Sequence, residues 1–334
     1  MLSKSRRVGR NGAAAPRRAV QCAWWWLAVG AVAPVAAAQG PERAAATDAA
    51  ATREVLPAGV SERFADLGGG VRLRYLAAGS GSPVVLLHGY AQTSHMWLPL
   101  IEALASKHAI VAPDLRGFGG SSKPESGYDK KTMAEDVFAL TKSLGLDRVA
   151  VVGHDIGLMV AYAYAAQHPA ATERIVLMDA FLPGVGDWKT VWLLRDLWHF
   201  HFYGETPLAL VQGRERTYLE HFWNDFAADR HRSVPEADRE HYARLYAQPG
   251  AMHAGFEVFR AFERDAVDFA KLAATKLPMP MLVLTGEKAS GTFLIEQGRL
   301  VAADVRGEVV PGVGHWLMEE ARDRVVPAIV AFVQ

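Results

Sequence analysis

Short apolar runs recur along the chain from about residue 60 onward. "PVVLLHG", "HAIVAPD", "RVAVVGH", "RIVLMDA" and "PMLVLTG" are rich in Val, Ile and Leu with little polar alternation. Continuous short runs of this kind mark strands buried on both faces, as parallel strands are. "RFADLG" and "VRLRYLAAG" precede them and "GEVVPG" follows, which makes eight strand candidates. Between them lie segments of helical periodicity such as "MWLPLIEALASK", "TMAEDVFALTKSLG" and "GLMVAYAYAAQHP". Strands alternating with helices predict an α/β fold: a mostly parallel, doubly wound sheet with right-handed crossovers.

The alternation stops after Asp179 and resumes near Pro278. The stretch between, residues 181–276, is helical in pattern and heavy in Trp, His, Phe and Tyr. A helical insert between two strands of one sheet is expected to form a cap. The sheet domain is then residues 60–180 with 277–334. No internal repeat is present.

The first 38 residues have a different character. Lys4, Arg6, Arg7, Arg10, Arg17 and Arg18 open the chain without an acidic residue, and "AVQCAWWWLAVGAVAPVAAA" follows, ending in three alanines. A basic head, an apolar middle and a small-residue end predict an export signal, with a periplasmic or secreted product. Arg6-Arg7 and Arg17-Arg18 leave the general and twin-arginine routes both open. Gln21 and Pro34 interrupt the apolar run, which argues against a permanent membrane anchor. Residues 39–59, rich in Ala, Thr and charge, are expected to be a tether. The sole cysteine, Cys22, lies inside the signal, so the mature chain would have neither a disulfide nor thiolate chemistry. With 36 basic and 36 acidic residues the formal charge is zero, which gives no electrostatic footprint for nucleic acid.

Ligands of open α/β sheets bind at the carboxyl ends of the strands. Three polar groups fall there: Asp155 after "VAVVGH", Asp179 after "RIVLM", and His315 in "VPGVGHWL". "GHDIG" has the form of a nucleophile elbow, with aspartate at the nucleophile position. Gly153 and Gly157 would permit the cramped turn, and the helix starting near Ile156 favours an anion at its end. A lone helix cap would also place an acidic residue here. It would not require glycines on both sides, or a histidine on a later glycine-rich loop.

"LLHGY", "DLRGFGGS", "GHDIG" and "GVGHW" together resemble the α/β-hydrolase superfamily, in its epoxide hydrolase and haloalkane dehalogenase branch. The cap stretches "WHFHFYG", "RTYLEHFW" and "LYAQPGAMHAGFEVFRAF" are similar to the Cif-like group of secreted bacterial epoxide hydrolases. The resemblance runs from about Ser61 to the C-terminus. It implies an enzyme that opens an apolar epoxide, with Asp155 as nucleophile, His315 as general base, and backbone N–H groups of Tyr90 and Ile156 as oxyanion hole. It also implies His199 and Tyr246 as donors to the epoxide oxygen. Phe181, Trp198 and Trp316, beside these groups in the chain, are expected to line the substrate. For the acid behind His315, "TGEKASG" carries Ala289 where many relatives have Asp. Asp179 is the expected acid and Glu287 the runner-up.

No cofactor is implied, and His199 with His201 lacks the further ligands of a metal site. Dehalogenation is the rival reading. Haloalkane dehalogenases typically place Trp after the nucleophile and fluoroacetate dehalogenases Arg, whereas this chain has Ile156. A silent binding protein on the same fold is the other alternative, and relatives suggest a homodimer.

Overall fold

The computed structural model describes residues 54–334 apart from Arg232. The expected export segment and most of the tether lie outside the described residues. The strands are β1 Val60–Asp66, β2 Arg72–Ala78, β3 Ser82–Leu87, β4 His108–Pro113, β5 Val149–His154, β6 Thr172–Met178, β7 Met281–Gly286 and β8 Val305–Val310. They form one sheet in the order β1-β2-β4-β3-β5-β6-β7-β8. β2 runs antiparallel to β1 and β4, and the other neighbours are parallel. The expected eight-stranded, mostly parallel α/β sheet is therefore present.

The continuous apolar runs follow from burial on both faces. In β3, Val85 and Leu87 enter the core on one side, while Val84 and Leu86 enter the core on the other. Side chains alternate across a strand, so a strand sandwiched between two cores cannot use polar residues at either phase. Helices α1 Leu98–Leu104, α2 Lys130–Ser143 and α3 Ile156–Gln167 lie between these strands in the chain. α3 is buried all round from Ile156 to Ala165, the state expected of a helix with no polar face.

Between β6 and β7 come α4 Lys189–Trp192, a 3-10 segment Arg195–His201, α5 Glu205–Val211, α6 Glu215–Asp225, α7 Glu236–Tyr246, α8 Ala251–Arg260 and α9 Phe262–Leu272. α10 Phe293–Val301, α11 Leu317–Glu320 and α12 Arg322–Val333 complete the fold. The inserted helices are anchored to α2 by a buried ion pair, Lys130 Nζ to Asp265 Oδ2 at 2.5 Å. Lys130 Nζ also donates to the Val258 carbonyl at 2.8 Å. Such a pair tolerates burial only because its remaining protons are hydrogen-bonded too.

Candidate active site

The elbow between β5 and α3 owes its shape to glycine. Asp155 sits at φ 52°, ψ −123°, a strained conformation for a residue with a Cβ. The turn closes because Gly157 lacks a side chain: a Cβ there would lie 2.1 Å from the Leu87 carbonyl oxygen. One on Gly89 would lie 2.4 Å from the Asp155 Cβ. The Asp155 carboxylate makes no capping bond to its own helix. Its Oδ1 instead accepts from the Tyr90 backbone N–H at 2.7 Å. A carboxylate turned away from its helix and toward a backbone donor on the β3 loop is doing more than capping.

His315 lies on the loop after β8. Its Nε2 is 3.7 Å from Asp155 Oδ2, and its Nδ1 is 2.9 Å from Asp179 Oδ2. Asp179, 1% exposed, has φ 36°, and its Oδ1 accepts from Gly286 N–H at 3.0 Å and Ser290 N–H at 3.2 Å. The strained turn after β6 thus brings a short acid within reach of the histidine. Glu287 is elsewhere: half exposed, it accepts from Gly312 N–H at 2.9 Å and sits near Lys288. Burial works against protonation of His315, but the Asp179 hydrogen bond and the Asp155 charge outweigh it, and its pKa is raised.

The other loop histidines hold turns. His88 Nε2 accepts from Leu115 N–H, so its Nδ1 carries the proton and donates to the Gly89 carbonyl at 2.8 Å. Burial, aided by the neighbouring His315, lowers the His154 pKa to about 4. Its neutral ring lies 2.9 Å from the His315 carbonyl through Nε2.

These groups open into a cavity of about 490 Å³ under the inserted helices. Tyr90, Asp155, Asp179, Phe181, His199, His315 and Trp316 all line it, with Phe200, Phe222, Phe226, Phe259 and Phe262 completing an aromatic wall. The wall offers few polar groups. The Trp316 indole N–H is already donated to the Phe222 carbonyl at 3.1 Å. Burial, then the neighbouring histidines His221, His315 and His201, push the His199 pKa well below the ordinary value, so the ring is neutral. It faces the cavity as a hydrogen-bonding group without charge.

Two expected site residues lie differently. Trp198 is 40% exposed and packs on His221, Phe202 and Tyr218 rather than lining the cavity. The 3-10 turn explains this, since at three residues per turn adjacent side chains point to different sides, His199 inward and Trp198 outward. Tyr246 is fully buried behind the wall, its ring against Tyr90 and Phe118. Its hydroxyl donates to the Gln92 carbonyl at a long 3.4 Å. The side chain of Tyr90, considered in the sequence only for its N–H, lines the cavity itself, and its buried phenol has no partner. Met159 and the Phe259–Phe262 pair were likewise not singled out. Their helical spacing, one turn after the nucleophile and three residues apart, was the available clue.

A second ionisable cluster joins sheet domain to inserted helices. Glu54, His95 and His241 each bring one ligand atom within 4.8 Å of the others. Both His95 nitrogens are taken, however: Nδ1 by Glu54 at 2.5 Å and Nε2 by Asp238 of α7 at 3.2 Å. Its ring lies 4.6 Å from that of His241, tilted by 31°. Burial disfavours the charged ring, but the two carboxylates raise the His95 pKa to about 9. Because the folded value exceeds the unfolded one, the stabilisation is complete below about 6.5 and is lost as pH rises through about 9. Melting of the wild type and of His95→Gln should differ by roughly 1–3 kcal/mol at pH 6 and converge by pH 10. A pH-independent difference would show that the clamp is not ionic.

The alpha/beta hydrolase fold family matches residues 82–321, and the chain belongs to it. It is 34% identical over 270 residues to a soluble epoxide hydrolase of Corynebacterium sp., covering 79% of this chain and 94% of that one. A fluoroacetate dehalogenase of Burkholderia sp. is 29% identical over 286 residues, covering 79% and 91%. Among solved structures, the Cif epoxide hydrolase from Acinetobacter nosocomialis superposes with a TM-score of 0.76 at 25% identity, over 84% of this chain and 91% of that one.

Proposed function

We propose that this protein is an epoxide hydrolase that opens an apolar epoxide to a vicinal diol through a covalent ester on Asp155. The observation that carries the reading is the Asp155 carboxylate. It sits on a strained elbow between the Tyr90 N–H and His315, at the floor of an aromatic cavity with neutral His199 in its wall. A carboxylate displaces oxygen at saturated carbon and leaves an ordinary ester for water to hydrolyse. One oxygen of Asp155 attacks an epoxide carbon, the C–O bond breaks, and the ring oxygen takes a proton from a cavity donor.

The electrostatics suit a two-step cycle. In the free enzyme His315 faces two carboxylates, which raise its pKa against the effect of burial. Esterification removes the Asp155 charge, so the histidine yields its proton more readily and becomes a base when water must be activated. Attack at the ester carbonyl places negative charge on oxygen, where the N–H groups of Tyr90 and Ile156 can receive it.

The donor that the cavity presents to the ring-opening step is His199. Tyr246 stands behind Tyr90 and joins the step only by leaving its long bond to the Gln92 carbonyl and turning inward. His199→Phe and Tyr246→Phe should slow alkylation by about two to four orders of magnitude, the scale of a positioned acid. A substrate with a halide leaving group, which departs without a proton, should be spared. A larger loss in Tyr90→Phe than in Tyr246→Phe would move the second donor role to the Tyr90 phenol.

Dehalogenation is the less supported reading, although one relative carries that name. Among the described residues no arginine lines the cavity to grip a haloacid carboxylate, and the lining Lys288 is exposed and 3.7 Å from Glu287. Ile156 offers no polar side chain, and the Trp316 N–H is already engaged. A panel of epoxides, 1,2-dihaloalkanes and haloacetates, read by diol and halide release, separates the two. Export is part of the same proposal. N-terminal sequencing of the secreted or periplasmic product should find a chain beginning near Gln39, and a mature chain beginning at Met1 would refute cleavage.

A further inference from the structure

His199 poses a chemical problem. As a neutral ring it can donate one N–H to an alkoxide, but giving that proton away outright would leave an imidazolate. The step is accessible only if the other ring nitrogen gains a proton as the first leaves. Its Nδ1 is buried and has no partner among the described residues. The rings packed around it are mostly phenylalanines, Phe200, Phe222, Phe226 and Phe259, which can supply nothing.

Besides Trp198, whose indole does not pass protons, the remaining neighbour is His221 on α6, whose ring centroid is 5.6 Å away at an interplanar angle of 62°. Its Nε2 is also buried without a partner. One hydrogen bond or one bridging water spans such a gap. Its Nδ1 is held at 2.8 Å by Asp225 Oδ2, one helical turn later on the same face. Exposure rises along the series. His199 is 4% exposed, the His221 side chain 14%, and that of Asp225, which reaches the cavity mouth, 52%. Two nitrogens without a partner among the described residues thus belong to neighbouring rings, and a carboxylate orients the outer one.

We propose that Asp225 and His221 form a second carboxylate–imidazole dyad that supplies the proton passed on by His199 during ring opening. This rests on the epoxide hydrolase reading above. The ring oxygen takes the cavity-facing proton of His199 as its bond to carbon breaks, and His199 Nδ1 takes one from His221. His221 keeps the Nδ1 proton bonded to Asp225 throughout. When water hydrolyses the ester, the proton released returns to the cavity-facing nitrogen of His199, whose Nδ1 passes its own back to His221 Nε2. Both rings are then restored, and the cycle sums to epoxide plus water giving diol. His221 acts through His199 and is a positioning and relay residue, not one that touches substrate.

The test is single-turnover alkylation, with enzyme in excess and the Asp155 ester counted by mass spectrometry after rapid quenching. In His221→Gln the rate should drop by about 10- to 100-fold. In His221→Ala, added imidazole should restore a large part of the loss. A wild-type rate in His221→Gln would overturn the relay. So would a slowed His221→Ala that gains nothing from imidazole, since that is a packing defect. The reading it rests on fails separately: no ester on Asp155 in the wild type, with any epoxide, removes both.

Discussion

Incubated with a reactive epoxide, the His315→Gln variant should gain the mass of one intact epoxide on the peptide spanning Val151–Gly157. The elbow, the Tyr90 N–H and the cavity wall do not depend on His315, so alkylation proceeds. Hydrolysis should not, because the base proposed to activate water is gone. Turnover should fall by at least about 10³-fold, the scale expected for losing a base from a catalytic set. The wild type gives the complementary result. In one turnover in heavy-oxygen water the diol should be unlabelled and the label should appear on the Asp155 peptide, since in the proposed mechanism the first oxygen comes from the carboxylate. If His315 instead directs water straight onto the epoxide, the diol is labelled at once and the peptide is not. A folded His315→Gln protein that forms no adduct with any epoxide of a broad panel would remove Asp155 from the nucleophile role.

The second large effect is expected from Asp179→Asn. The variant should fold, because an asparagine oxygen can still accept from the Gly286 and Ser290 N–H groups. What it loses is the charge on the oxygen 2.9 Å from His315 Nδ1. That carboxylate holds the ring in the orientation that turns Nε2 toward Asp155, and in the proposed cycle it would stabilise the imidazolium formed as His315 takes a proton from the attacking water. An amide does neither and can present an N–H to Nδ1, favouring the wrong tautomer. Steady-state turnover should fall by about 10³–10⁴-fold, with ester accumulating on Asp155. Glu287→Gln should cost less than about twofold, because it removes only an exposed contact to Gly312. The reverse ranking would transfer the relay role to the loop after β7.

The unequal legibility of fold and site has a physical basis. Strands buried on both faces must be apolar at every position, so β3, β5, β6 and β7 stood out as continuous runs. The elbow was equally legible: the backbone of α3 passes so close to β3 that only glycine fits at residue 157, and "GHDIG" carries that constraint in its letters. Asp155, Asp179 and His315 each follow a strand, and the parallel order of the sheet brings those ends together. The inserted helices gave no such guarantee. An aromatic residue there satisfies the same burial requirement whether it faces the cavity or the layer behind it. Sequence alone therefore determined the sheet, the elbow and the set of candidate acids and bases. Tertiary structure decided which carboxylate reaches His315, that Trp198 turns outward while its neighbour His199 turns in, that Tyr246 stands behind Tyr90, and that His221 and Asp225 line up behind His199. Strand and elbow geometry repeats with a short period along the backbone, whereas the facing of an inserted helix depends on contacts made across many residues of chain.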